Sequence, residues 1–446
     1  MGIELMAVGG YEEVGRNMTA LKIDDEVIIL DMGWHLEKVL ENFHEYRADE
    51  VDTKTLVEIG AFPDISLLGD WKNKVKAIVL SHAHLDHIAA APKLLNEFNG
   101  VPVIATPFTL EVLKNLIKEE PKKPKNKFVY LNAGSKYKLS DKITIEFINA
   151  THSTPQTAII AIHTKYGIIT YANDWKFDNS PVIGKKTDIK RLKEIGKKGV
   201  ICHISDSVRI DREGKTYSES VFNDMLKDIV LHTQNEKGLI AVSTFSSHIG
   251  RIKTVIELAN KMGRKVALLG RSLESYVSAA EKAGLVKITD KAIVAGRKGN
   301  IKRVINQMKK EGTENYIVML TGHQGEPNSM LDKISRGEIK SPFREFDILI
   351  FGCEVIPAPV NVANRARLER NLKRFKLRIF KDVHVSGHAA KEDHRDMLMI
   401  LKPKIYIPAH AGLKKQSAAV ELAREMGYIK GKTVFMLSNG DKLKII

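Results

Sequence analysis

The sequence predicts an α/β protein of about two or three domains. Three observations predict it. The chain has 446 residues, more than one ordinary hydrophobic core organises. Short β-branched runs alternate with stretches whose apolar residues recur every three or four positions. The composition, 43% hydrophobic and 28% charged, is that of a globular chain and excludes wholesale disorder. No run approaches the roughly 18 apolar residues of a membrane span, so no membrane role is expected. Residues 1–9 lack a basic stretch leading into an apolar one, so no secretory signal is expected either. The two cysteines, Cys202 and Cys353, cannot make a disulfide framework or a four-cysteine zinc site. A reducing, cytoplasmic compartment is the expectation.

In chain order, strands are expected at 27–30, 77–80, 144–148, 159–163, 167–171, 200–204, 239–243, 266–269, 316–320, 347–351 and 404–407. Helices are expected at 218–232, 250–261, 273–283, 302–310 and 414–425. The part up to about residue 206 is strand-dense and hairpin-like. From about 207 to 375 the alternation of strand and helix predicts a mostly parallel sheet covered on both faces. No internal repeat or low-complexity linker marks a boundary.

Charge narrows the partners. Lys and Arg number 70 against 54 Asp and Glu, a net charge of +16. Such a surplus favours polyanions, although a Lys- and Glu-rich chain with only five Gln also fits a heat-adapted surface. Three runs concentrate the cations: Lys122 to Lys127, Lys185 to Lys198, and Arg365 to Lys381. The third holds eight cations against the single acid Glu369, and its arginines have the fork geometry that grips phosphate. A solvated face is the simpler reading of each run, and the third is the one expected to function.

The sharpest feature is Ser81-His82-Ala83-His84-Leu85-Asp86-His87. It follows the apolar run 77–80, so His82, His84, Asp86 and His87 fall where a strand turns into a helix expected near Ile88. Imidazole and carboxylate are the donors zinc prefers. His82 and His84 cannot share a helix face, but a turn can aim both at one ion while Asp86 and His87 face a second. A histidine-rich surface turn is the plainer alternative. His152 and Asp174 each close another apolar run and, taken singly, suit a cap or turn equally well. Asp31 closes the run 27–30 and has the chemistry to orient a ligand histidine from behind. Gly10 and Gly15 mimic a phosphate loop, but the Lys-Ser/Thr that such a loop needs is missing.

The succession His82, His84, Asp86, His87, His152, Asp174, preceded by Asp31, resembles the metallo-β-lactamase superfamily. Three later segments, each after an expected strand, resemble motifs A, B and C of the β-CASP nucleic-acid nucleases: 205–207 with Asp206, 385–390 with His388, and 407–412 with His410. The segments 9–18, 63–66, 244–247 and 321–327 narrow the resemblance to the ribonuclease J family, over nearly the whole chain. Motif C departs modestly, reading Ala409-His410-Ala411, which keeps the histidine. The chain stops shortly after this motif, as archaeal members do, whereas bacterial members usually carry a further C-terminal domain.

The resemblance implies a metallo-β-lactamase αββα sandwich with an inserted β-CASP α/β domain, divided as 1–206, 207–375 and 376–446. It implies two zinc ions per chain, with manganese as the alternative. One would be bound by His82, His84 and His152, the other by Asp86, His87 and His410, with Asp174 bridging. His388 or Asp206 would be the general acid, and the sequence does not choose between them. His384, Val385, Ser386, Gly387 and His388 would bind substrate phosphate, as would Ser246 and Ser247 with the neighbouring His248. His323 and Gln324 would shape the RNA channel. The implied activity is 5′-to-3′ exonucleolytic hydrolysis of single-stranded RNA with a preference for 5′-monophosphorylated ends, in RNA decay and processing. The alternative is a mainly endonucleolytic, polyadenylation-type nuclease. A homodimer is implied. The basic surplus would line the cleft between the domains, with 365–381 on its wall. His35, His44, His163, His203, His232 and His394 have no ligand-type neighbours in the sequence and are expected to be surface or core residues.

Overall fold

The computed structural model describes residues 1–43, 50–233 and 238–446; His44 lies outside them. Three large sheets organise the chain. The first has seven strands in the order Lys442–Lys444, Ile3–Gly9, Met18–Ile23, Glu26–Leu30, Val75–Val79, Val103–Ala105 and Phe128–Tyr130. The second has six: Ile405–Ala409, Val200–Asp206, Gly167–Ala172, Ala158–Thr164, Thr144–Asn149 and Lys136–Lys138.

Alternation of side chains along these strands builds four layers. Ile28 and Leu30 point from the first sheet into a core shared with Phe147, Ile160, Ile169 and Ile204 of the second. Their neighbours Val27 and Ile29 point the other way, onto Leu94, Phe108 and Leu113 of the helical layer. The second sheet does the same: Ile159, Ala161 and Ile168 meet Leu192, Ile195, Met397 and Leu401 of the helices Ile189–Lys198 and Lys391–Leu401. The result is helix, sheet, sheet, helix.

The third sheet is wholly parallel, in the order Ile293–Ala295, Lys265–Leu269, Tyr316–Leu320, Ile240–Ser243, Ile348–Phe351 and Arg378–Phe380. Both faces are apolar, as a parallel sheet between helices requires. Leu239, Ala267, Val318 and Leu349 lie under one helical layer, and Ile240, Val266, Ile317 and Ile350 under the other. The helices Pro107–Glu119 and Arg271–Lys282 join this unit to the first sheet; Asn115 Nδ2 donates to Ser275 O at 3.0 Å. The chain then returns. Ile405–Ala409 adds beside Val200–Asp206, and Lys442–Lys444 beside Ile3–Gly9.

Every expected strand and helix coincides with an observed one. The strands Ile3–Gly9 and Met18–Ile23 and the helices Pro107–Glu119, Pro359–Leu372 and Lys391–Leu401 were not anticipated. Two boundaries shift. The helix expected near Ile88 is Leu85–Ile88, because His84 is already extended at the helix entrance; Asp86 and His87 therefore ride on its first turn. Arg378–Phe380 belongs to the third sheet, past the expected division at 375. Among the described residues, no helix is long and apolar enough to cross a membrane.

Candidate metal centre

Strands of the first two sheets end at one edge, and the loops leaving them carry the ligand-type residues. Val75–Val79 leads to His82, His84, Asp86 and His87; Thr144–Asn149 to His152; Gly167–Ala172 to Asp174; Ile405–Ala409 to His410. The fold brings all seven together in two sets that share Asp174, the candidate ligand atoms of each lying within 4.8 Å of one another.

Asp174 gives one oxygen to each set. Its Oδ2 lies 3.4 Å from His82 Nε2, 3.9 Å from His84 Nδ1 and 3.2 Å from His152 Nε2. Its Oδ1 lies 3.5 Å from His87 Nε2 and 3.3 Å from His410 Nε2. Asp86 Oδ2 completes the second set, 3.5 Å from His410 Nε2 and 3.7 Å from His87 Nε2. His82 Nε2 and Asp174 Oδ1 are buried with no hydrogen-bond partner. Native interiors seldom leave such atoms orphaned, and here they point at common centres. A nitrogen and oxygen donor set of this composition fits zinc.

The rings are held from behind. Asp31 accepts from His87 Nδ1 at 2.8 Å, from Ser81 N at 2.7 Å and Oγ at 2.8 Å, and from the Tyr171 hydroxyl at 2.9 Å. Ser81 Oγ lies 3.0 Å from His82 Nδ1, and Gly387 O 2.8 Å from His152 Nδ1. Asn17 Nδ2 lies 2.8 Å from His410 Nδ1 and donates to Asp86 O at 3.0 Å, while Asn173 Nδ2 donates to Asn17 Oδ1 at 3.3 Å. His82, His87 and His152 thus turn Nε2 toward the centre, while His410 Nδ1 accepts from Gly15 N at 3.3 Å and faces Asn17 Nδ2. Asp31, Asp174 and His410 hold left-handed backbone, φ 62°, 63° and 52°, a conformation that Asp and His adopt more readily than most residues with side chains.

Electrostatics agree with ligation. Burial, helped by the nearby His87, keeps His82 well below the ordinary histidine range, and burial lowers His152 to about 4, so both present neutral imidazole. Burial opposes ionisation of Asp174, yet His388, His410 and His87 around it hold it well below the usual carboxylate range.

Beside this centre stands the pair His388 and Asp206. His388 Nδ1 is 3.4 Å from Asp206 Oδ2 and 3.9 Å from Asp174 Oδ1. The loop of His384, Val385, Ser386, Gly387 and His388 runs along the same edge and is tied down by Arg251. That guanidinium donates to Val385 O at 2.8 Å and Gly352 O at 2.6 Å, lies 3.3 Å from His384 Nδ1, and is braced by Glu219 at 2.5 Å. Ser386 Oγ accepts from His388 N at 3.2 Å. Ser246 pairs with Ser272 at 2.9 Å; Ser247 is buried; the next residue, His248, lines a solvent-open cavity together with His152, Asp178 and Glu219.

Two expectations change, and one core histidine comes close to the site. His394, given no role, is buried with Nε2 3.8 Å from Asp206 Oδ1, because the helix Lys391–Leu401 carries it beneath the site. Gln324 secures the loop after Ile348–Phe351, donating to Glu354 O at 2.8 Å and accepting from Ile356 N at 2.9 Å, and His323 is buried against Phe245, so neither side chain is an open channel wall. The basic run 365–381 is largely consumed by structure. Arg365 lies 3.2 Å over Phe351 and donates to His323 O, Arg367 reaches Asp332, Arg374 donates to Ile334 O, and Lys376 and Lys381 pair with Glu345 and Glu369. Sequence reasoning missed Asn17, Ser81, Tyr171 and Asn173 as supporting residues. Asn17 lay inside the segment 9–18 already singled out, which was its one signal.

The chain matches three family models: "Beta-lactamase superfamily domain" over residues 61–185, "Ribonuclease J, beta-CASP domain" over 237–367 and "Zn-dependent metallo-hydrolase RNA specificity domain" over 374–437. The ribonuclease J of Methanocaldococcus jannaschii is 45% identical over 445 residues, 99% of each chain. That of Pyrococcus abyssi is 41% identical over 99% of this chain and 97% of its own. Ribonuclease J2 of Bacillus subtilis is 28% identical over 98% of this chain and 74% of its own. A crystal structure of a protein of unknown function from Enterococcus faecalis V583 matches the whole of both chains with a TM-score of 0.64 at 16% identity, which speaks to the fold alone. Two ligand sets around one aspartate, the β-CASP match over most of the third sheet, and near half of all positions shared along the full length converge: the chain belongs to the ribonuclease J family.

Proposed function

We propose that this protein is a zinc-dependent 5′-to-3′ exoribonuclease that removes nucleotides from single-stranded RNA with a preference for 5′-monophosphorylated ends, in RNA decay and processing. The observation that carries the hydrolytic reading is the division of Asp174, one oxygen toward His82, His84 and His152 and the other toward His87 and His410. His82, His84 and His152 would hold one ion, Asp86, His87 and His410 the other. Two ions, when bound, supply a nucleophile at neutral pH and neutralise phosphate charge.

The chain's own groups do the rest. Hydrolysis forms a bond from phosphorus to a water oxygen and breaks the bond to the 3′ oxygen, which needs a proton. His388 is the donor we favour over Asp206: its side chain is 21% exposed, whereas that of Asp206 is 0% exposed and faces it from behind. Although burial pulls its pKa down, Asp174 and Asp206 raise that of His388, keeping the proton available. Asp31 orients His87. The loop 384–388 would offer Ser386, the Gly387 backbone and His388 to phosphate oxygens, with Ser246 and Ser247 as further phosphate contacts. We divide the chain at 206/207 and, following the strand Arg378–Phe380, at 380/381. A cytoplasmic homodimer completes the proposal, and light scattering tests the dimer.

The deciding experiment is digestion of end-labelled RNA bearing 5′-monophosphate, 5′-triphosphate or 5′-hydroxyl, with and without chelator. Labelled mononucleotide released first from monophosphorylated RNA, and only without chelator, is the expected result. Internal fragments formed regardless of the 5′ end would replace the exonuclease with an endonuclease. Activity that survives chelation would overturn the metal assignment.

A further inference from the structure

Among the described residues, arginine side chains are almost all paired or exposed. Among the described residues, those with no side-chain partner include Arg212, Arg271, Arg297 and Arg370, and each of these is exposed. Arg209 is the exception. It is half-buried, its Nε is covered from solvent, and no acceptor meets it. Covering a guanidinium N–H from water without an acceptor is unfavourable, so Nε is a donor available to a partner that arrives later.

Its position says what kind. Arg209 lies three residues past Asp206, and its backbone bridges to Ala390, two residues past His388. The loop it borders is held from the other side, where Thr216 Oγ1 donates to His388 O at 2.6 Å. Its charge reaches both His384 and the ammonium of Lys415, which donates to Val208 O. The segment that follows Asp206 and bridges to Ala390 thus carries Arg209 uncommitted, while the neighbouring Lys415 is already committed to the Val208 carbonyl. A planar fork of donors beside a phosphodiester-cleaving pair matches the two oxygens of a phosphate.

We propose that Arg209 binds a backbone phosphate of the RNA strand next to the one being cleaved, and so holds the strand in register over His388. This rests on the reading of the site as an RNA hydrolase. Arg209 is a substrate-positioning residue and takes no part in proton transfer.

The test compares wild type, R209A and R209K in two measurements: cleavage kinetics on monophosphorylated RNA, and anisotropy binding of a fluorescent phosphorothioate oligomer, each across about 50–200 mM salt. Expected for R209A is a KM and a binding constant weakened about tenfold, with kcat within about twofold of wild type. Its log–log salt slope should be shallower by about 0.7, one single-strand phosphate contact. R209K, keeping charge but losing the fork, should fall between. Removing a half-buried side chain whose covered Nε has no acceptor should leave the melting temperature of the RNA-free protein unchanged or raised. Unchanged salt slope and affinity in R209A would overturn the proposal, as would a lowered melting temperature with an unaltered slope, the mark of a structural arginine. If wild type binds but does not cleave, the hydrolase reading fails while the binding comparison still judges Arg209.

Discussion

His87 Nδ1 donates to Asp31 Oδ2 across 2.8 Å, and both side chains are 0% exposed. The contact joins the loop after Glu26–Leu30 to the first turn of Leu85–Ile88 and aims His87 Nε2 at Asp174. Asp31→Asn is therefore expected to weaken zinc affinity by about 10–100-fold, with activity partly recovered by added zinc. Competition against a chelator of known affinity measures it, and wild-type affinity in the variant would remove Asp31 from the support of the centre.

His388 and Asp206 separate by activity rather than by metal content. His388→Ala should lower kcat by about 10²–10⁴-fold while the bound zinc stays at the wild-type level. Single-turnover cleavage alongside elemental analysis reads both. A loss of zinc in parallel with activity would instead make His388 a ligand.

Gly387 is a packing constraint on the same centre. A Cβ there would meet His152 Cε1 and Nδ1 at 2.8 Å and Ser153 N at 3.0 Å. Gly387→Ala should displace His152, whose Nδ1 lies 2.8 Å from Gly387 O, and reduce activity at least about tenfold in a folded protein. Gly299→Ala is the matched control: nothing lies within 4 Å of its Cβ, it sits in the helix Lys298–Glu311, and it should be neutral or stabilise by about 0.5–1 kcal/mol. Melting curves and cleavage rates for the two variants distinguish crowding from a general intolerance of alanine.

Acid stability has a local source away from the centre. Burial pushes the Glu146 carboxyl up, but its hydrogen bonds with His163 at 2.7 Å and Arg191 at 2.6 and 2.9 Å pull it to about 2, from an ordinary 4.5. The folded-state value is the lower one, so its contribution is complete above about 4.5 and is lost as pH falls toward about 2. Glu146→Gln should cost about 1–3 kcal/mol at neutral pH and flatten the stability profile between those limits. Urea unfolding at stepped pH measures it; parallel profiles for the two proteins would assign the acid sensitivity elsewhere.

The candidate ligands were legible because His82, His84, Asp86 and His87 are crowded into one turn, and because His152, Asp174 and His410 each follow an apolar strand. The residues behind them were not. Asn17, Tyr171, Asn173 and His394 acquire their contacts only when separate strands and the helix Lys391–Leu401 close on one another. Ile3–Gly9 and Met18–Ile23 escaped notice because Glu4, Thr19 and Lys22 interrupt their apolar pattern, although Lys22 and Glu4 pair across the strands at 2.6 Å. The run 365–381 misled for a related reason: sequence cannot separate a cation awaiting phosphate from one whose acid, such as Asp332 for Arg367, lies far along the chain.

The return of the chain to the first two sheets has a consequence in time. A ribosome delivers His82, His84, His152 and Asp174 early, but Gly387, whose carbonyl meets His152 Nδ1, only after the third sheet has been made. The second set must wait for His410, near the end of synthesis. A nascent copy therefore holds its centre half built for most of its manufacture.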